Sequence, residues 1–213
     1  MTRTIRTVTM MGTAMYEYTD KIIRYLTKRF VRLFGDAKSN LLPMDEVNVL
    51  RYSHTFYGNL EEITEIYFLK LAKKVYRDTA TNKKRKIDKK WLHDTLSQYD
   101  PVTMYVYLHE VDRKRARFAE AVIASSNRAF EVEKALKYWS RMVNQYAVEI
   151  TDKAVIDAYI DNNVHKVIWV TVDDEKRCKE CAKRDGEIYD IDDIPPKPHP
   201  NCRCILLPYF GEE

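Results

Sequence analysis

The sequence predicts an α+β protein that is mainly α: a helical N-terminal body followed by a small mixed α/β module stapled by a Cys/His metal site. Three observations carry this. Only two of the seven prolines, Pro43 and Pro101, and four of the five glycines lie in the first 194 residues of a 213-residue chain. So few breakers over that distance favour long helices. Apolar residues in this region recur at three- and four-residue intervals. Near residue 167 the period changes to a β-branched run, and all four cysteines and five prolines follow it.

Residues 1–15 mix Thr, Arg and Met in no period and read as an arm. From Tyr16 to Phe34 the spacing of Ile22, Ile23, Leu26, Phe30, Leu33 and Phe34 is helical, with Gly35 as a stop. Asp45 can cap a second helix running to about Arg77, with Leu50, Phe56, Tyr57, Leu60, Ile63, Tyr67, Leu71 and Val75 near one face and Gly58 as a point of bending. Residues 82–90 form a basic connector, and Trp91 to Tyr99 read as a short helix. Asp100-Pro101 is a helix start: Asp accepts orphan N–H groups and Pro presets φ. This helix runs to about Ala124 and breaks at Ser125-Ser126-Asn127. The next spans Arg128 to Val148, and Thr151-Asp152 is expected to cap a further one to Asp161.

Val167-Ile-Trp-Val-Thr-Val172 is a strand by its β-branched and aromatic content; Glu187–Ile191 and Ile205–Leu207 read as two more. The chain then divides into an arm (1–15), a helical domain (16–116) and a C-terminal domain (117–213) carrying the Cys/His module at 165–208.

Charge is uneven. From His165 onward there are 8 Lys/Arg against 11 Asp/Glu, a net of −3; the first 164 residues hold 28 against 21, a net of +7. A basic body suits nucleic acid or an acidic protein surface. Lys83, Lys84, Arg85, Lys86, Lys89 and Lys90 are the candidate contacts, with a solvated charge run as the plainer reading. The sequence contains no apolar run of membrane-spanning length and no signal-peptide pattern at its start, which predicts synthesis in a cytoplasm. Gly-rich phosphate loops, H-E-x-x-H and G-x-S-x-G are absent, and no catalytic constellation is apparent. His54, His93, His109 and His165 have no suitably spaced partners.

The chemistry lies in Cys178-Lys-Glu-Cys181 and His199-Pro-Asn-Cys202-Arg-Cys204: a C-x2-C, a gap of 17 residues, then H-x2-C-x-C. Two thiolates on a tight turn converge on one ion, and a later pair closes the site. Sulfur-rich tetrahedral sites suit Zn²⁺. Cys178, Cys181, His199, Cys202 and Cys204 offer five donors for at most four positions, so the set stays open. Two disulfides, a redox dithiol after the strand, and four unliganded thiols are the competing readings. Pro198 and Pro200 hold His199 extended, Asp185-Gly186 is a turn signal, and Arg203 can answer the charge of the thiolates or pair with Asp173 or Asp174.

The ordered set Trp169-Val-Thr-Val-Asp-Asp, Cys178-x-x-Cys181, Asp185-Gly186, His199-Pro-Asn-Cys-Arg-Cys204 and Pro208 is similar to the C-terminal signature of the phage Mu F-like head morphogenesis family. The helical stretch from Arg117 resembles that family's lead-in. The resemblance implies a non-enzymatic minor head protein of a tailed phage, made in the host cytoplasm and carried into the virion at the portal vertex or head interior. Its implied partners are portal or capsid proteins and packaged double-stranded DNA, with no membrane and no small-molecule substrate. Its implied roles are head assembly, genome packaging or ejection. The rival class is a nucleic-acid-binding protein with a structural zinc module; the net acidity of that module counts against it.

Overall fold

A computed structural model describes residues 15–25, 27–28, 46–82, 84–98, 117–172, 175, 177–199 and 202–211. The arm as far as residue 14, the end of the first helix, the Asp45 cap, the Asp100-Pro101 start, Lys83, Asp173 and Asp174 lie outside them, whereas Met15, placed in the arm by its sequence, is already helical. The described elements are α1 (15–25), α2 (Glu46–Thr79), α3 (Lys89–Gln98), α4 (117–124), α5 (Arg128–Asp161), β1 (Lys166–Val170), α6 (Lys179–Arg184), β2 (Ile188–Asp190) and β3 (Ile205–Tyr209). The architecture is a helical body with one small antiparallel sheet, ordered β2-β1-β3.

α2 and α5 form the core and run in the same direction. Tyr57 meets Trp139 edge-on at 5.6 Å, Phe68 lies 6.4 Å from Tyr146, and Tyr76 bonds Asp161 further along. These large rings are almost fully buried. Burial of such side chains stabilises by about 1.5–3 kcal/mol each. The indole N–H of Trp139 is satisfied by the Tyr57 hydroxyl at 3.4 Å. α1 packs Tyr18 on Tyr67, and α4 packs Phe118 on Tyr57.

The predicted break at 125–127 is present: Asn127 caps α5 by accepting the Phe130 N–H at 3.2 Å. The expected second cap at Thr151-Asp152 is not. α5 runs unbroken for 34 residues. Its span contains neither Gly nor Pro, and Ile150, Thr151, Ala154 and Val155 are all buried on the core face. Continuous packing outweighs the local capping preference of one Thr-Asp pair. The start of α3 also differs. Asp88 accepts the Trp91 N–H at 3.1 Å, and that bond holds its carboxyl below the usual range. Lys89 and Lys90 therefore sit in the first turn of α3, not in the connector. Cations are disfavoured at a helix N-terminus; Lys89 is offset by Glu65 at 2.5 Å.

α5 ends in a Schellman motif. The Val164 N–H donates to the Tyr159 carbonyl and the Asn163 N–H to that of Ile160, with Asn163 left-handed at φ 57. Asn tolerates that conformation better than most residues. The motif turns the chain into β1, whose Val167 and Trp169 are buried. β1 pairs Ile168 with Ile188 on one side and with Leu207 on the other. The Tyr159 hydroxyl bonds the Leu206 carbonyl at 3.1 Å and fastens the sheet to α5.

Asp157 is fully buried on α5. Its carboxylate receives Arg85 at 2.7 Å, Lys153 at 2.8 Å and the Trp91 indole N–H at 2.7 Å. Substituting Asp157→Ala strands two cations, each still partly in water. The expected loss is about 3 kcal/mol, the low end of the cost of breaking a buried pair. Urea denaturation monitored by Trp fluorescence measures it; a loss no larger than that of an exposed substitution contradicts the account.

Candidate metal centre

The site is assembled by the turns around the sheet. After β1, the Thr171 N–H donates to Asp185 at 2.8 Å. Gly186, at φ 81, donates its N–H to the Trp169 carbonyl at 2.8 Å and turns the chain into β2. A side chain there would be strained. Between these anchors lies α6, a short helix that periodicity did not reveal because six residues contain too few turns to show one. Cys178 is its N-cap, and its sulfur accepts the Cys181 N–H at 3.3 Å. The C-x-x-C motif is therefore a capped helix start that places Cys181 inward and buried.

The second half of the motif comes from the segment that leads into β3. His199 Nε2 lies 3.3 Å from Cys181 Sγ, and Cys202 Sγ lies 3.6 Å from it. Donor atoms of Cys178, Cys181 and His199 lie within 4.8 Å of one another, and so do those of Cys181, Cys202 and Cys204. Cys181 belongs to both groups. All five predicted donors are thus brought together, and all four cysteines are free thiols.

These spacings suit a tetrahedral ion. Zn–S bonds of about 2.3 Å and Zn–N bonds of about 2.0 Å put neighbouring donors about 3.5–3.8 Å apart. The electrostatics point the same way. The backbone N–H of Cys181 lowers the Cys178 thiol below its usual range, whereas burial and then the neighbouring thiols push Cys181 far up. Burial also raises Cys202. A cluster this buried holds thiolates only when a cation compensates them, which is what a metal supplies. The residues present therefore fit a thiolate-binding ion.

A profile described as Phage Mu protein F like protein matches residues 70–207. The chain belongs to that family. No curated protein and no solved structure matches it. Phage Mu F-like proteins are phage head morphogenesis proteins. The match spans all five donors and begins well before Arg117, inside α2. The sequence signature was legible only near the cysteines; in the structure the end of α2 and the start of α3 pack on α5 through Tyr76 and Trp91.

In this Mu F-like chain the basic candidates divide. Arg85 is half-buried, with its guanidinium on Asp157 at 2.7 Å and Asp161 at 3.4 Å, so it serves the fold. Lys86 reaches Asp88 at 3.2 Å and Lys89 reaches Glu65. Lys84, Lys86, Lys89 and Lys90 are exposed. Lys83 and the Asp173 and Asp174 partners considered for Arg203 are outside the described residues. Two contributors were missed. Lys197 pairs with Asp152 on α5 at 2.9 Å and also donates to the Cys204 carbonyl, bracing the segment that carries the last donor. Arg177 reaches Asp185 at 3.6 Å beside Cys178. The position of Lys197 between Pro196 and Pro198, in a fixed extended run, was the available hint.

Purified protein is expected to carry about one Zn²⁺ per chain, released by a strong chelator with a fall in Tm. Metal analysis paired with thiol titration checks this. Protein without metal and with four reactive thiols contradicts it.

Proposed function

We propose that this chain is a structural minor head protein of a tailed phage. It docks on portal or capsid proteins at the head interior or portal vertex and acts in head assembly, genome packaging or ejection. The family match over residues 70–207 carries this reading. In it, Zn²⁺ has a structural role: a site closed by four protein donors has no open position for a reacting water, so the module is a folding staple and the protein is not an enzyme. Among the described residues, no helix is long and apolar enough to cross a membrane.

Packaged double-stranded DNA is a secondary partner in this reading, approached through exposed Lys84, Lys86, Lys89 and Lys90 on the connector and α3. The engagement of Arg85 with Asp157 and Asp161 fixes that basic segment to the body. A protein that read nucleic acid through the Cys/His module would concentrate Lys and Arg there. Here that region is net acidic.

Quantitative mass spectrometry and cryo-electron microscopy of assembled heads test the proposal. The expected result is a low copy number with density at the portal vertex or inner shell, and malformed or empty heads when the gene is deleted. Absence from heads, together with salt-sensitive DNA retention and no affinity for portal, supports the nucleic-acid-binding alternative instead.

A further inference from the structure

Five donors surround one place, and a tetrahedral ion takes four. A small void of about 20 Å³ lies among them, bounded by Thr171, Arg177, Cys178, Cys181, His199 and Cys204, with Arg203 also on its wall. That volume is on the scale of one water, for which about 10–15 Å³ suffices, and so also accommodates one ion. Cys202 is not on its wall. Cys202 borders a larger cavity of about 370 Å³, beside Val148, Thr151, Val155 and Leu206 from α5 and β3; Cys204 borders that cavity too, and of the two only Cys204 also reaches the small void.

We propose that the ion is held by Cys178, Cys181, His199 and Cys204, and that Cys202 is a buried thiol outside the coordination sphere. This assignment rests on the metal reading of the module and names its donors.

Three features support it. First, these four residues share one void, although no single group of mutually close donors contains all four. The Cys178–Cys181–His199 group is compact, and Cys204 meets it at Cys181, the donor that both groups share. Second, the route to Cys204 is braced. Its carbonyl accepts from Lys197, whose charge is fixed by Asp152, and it directly precedes β3, which is paired with β1 along its length. Cys202 precedes this brace by two residues. Third, the set contains three thiolates and one neutral imidazole. On a dication it leaves one net negative charge, and Arg177 and Arg203 line the same void. A buried, unliganded Cys202 behaves as a small apolar side chain against Val148 and Leu206. Its 3.6 Å approach to Cys181 is a spacing that two coordinated sulfurs would also show, and in this assignment it is a thiol–thiol contact.

The assignment is tested with Zn²⁺ counted by native mass spectrometry, and with Co²⁺ substituted for it so that thiolate-to-metal absorption reports the number of sulfurs bound. Wild type should bind one ion with a three-thiolate signature. Cys202→Ala should keep the stoichiometry and the absorption, with affinity changed less than about tenfold. Cys178→Ala, Cys181→Ala, Cys204→Ala and His199→Ala should each weaken binding by more than the roughly 10–100-fold that loss of an outer hydrogen-bond partner costs. Because Cys204→Ala can also unfold the module, Cys204→His supplies a second arm: it should restore ion binding with about one third less thiolate absorption. Loss of the ion in Cys202→Ala with retention in Cys204→Ala overturns the assignment, and so does a four-thiolate signature in wild type. Wild type that binds neither Zn²⁺ nor Co²⁺ overturns the underlying metal reading as well, which separates the two failures.

Discussion

The carboxylate of Asp157 lies within α5 with no solvent contact, and a charge so placed must be matched or it costs several kcal/mol. Its partners come from separate parts of the chain: Arg85 from the connector, Trp91 from α3 and Lys153 from the preceding turn of α5. The Tyr76 hydroxyl adds α2, donating to Asp161 while accepting the Arg85 N–H at 2.9 Å. Where a ridge of leucines could slide, this constellation has one arrangement that satisfies its donors. It fixes how α2, the connector and α3 meet α5. At the same end, Asn162 caps the outgoing chain and accepts the N–H groups of Thr81 and Asn82.

With α5 fixed, the C-terminal module has a surface to fold on. Its three strands hold 13 residues, below what a sheet needs to stand alone in water. The missing support comes from α5 at three points: the Schellman turn at Asn163, the Tyr159–Leu206 bond and the Asp152–Lys197 pair. The last donor of the cysteine cluster, Cys204, directly precedes β3, so the cluster is tied to the same sheet. A metal there would close the loop between α6 and β3, where the chain is rich in proline and poor in apolar residues.

Periodicity made the long helices legible, because 3.6-residue spacing repeats many times over 34 residues of α2 and α5. The strands were legible from composition, Val167 to Val170 most clearly, although the expected run on to Val172 ends at Val170. What failed to show was decided by tertiary contact or by brevity. Thr151-Asp152 has the chemistry of a cap, but Thr151 is buried in a continuous face. Arg85 sits in a run of lysines and shares their charge, yet it is the residue turned inward, a choice made by Asp157 and Asp161 far along the chain. The five donors were named by type and spacing alone. Which of them share a void depends on how β3 pairs with β1, and spacing carries no information about that register.

The structure therefore separates two kinds of residue within the family match. The cysteines and His199 are locally patterned because their geometry is set by short turns: the α6 cap and the Gly186 reversal. Asp157, Arg85, Tyr76 and Trp91 have no local pattern, because each has its partner more than sixty residues away or on another element. Both are needed in one unit, since α5 carries Asp157 and Asp161 for the body and Asp152 and Tyr159 for the module. A docking surface for portal or capsid that involved both regions would then rest on a single rigid helix. This follows from the unbroken run of α5 through Thr151, where two shorter helices joined at a cap would have left a hinge between the body and the Cys/His module.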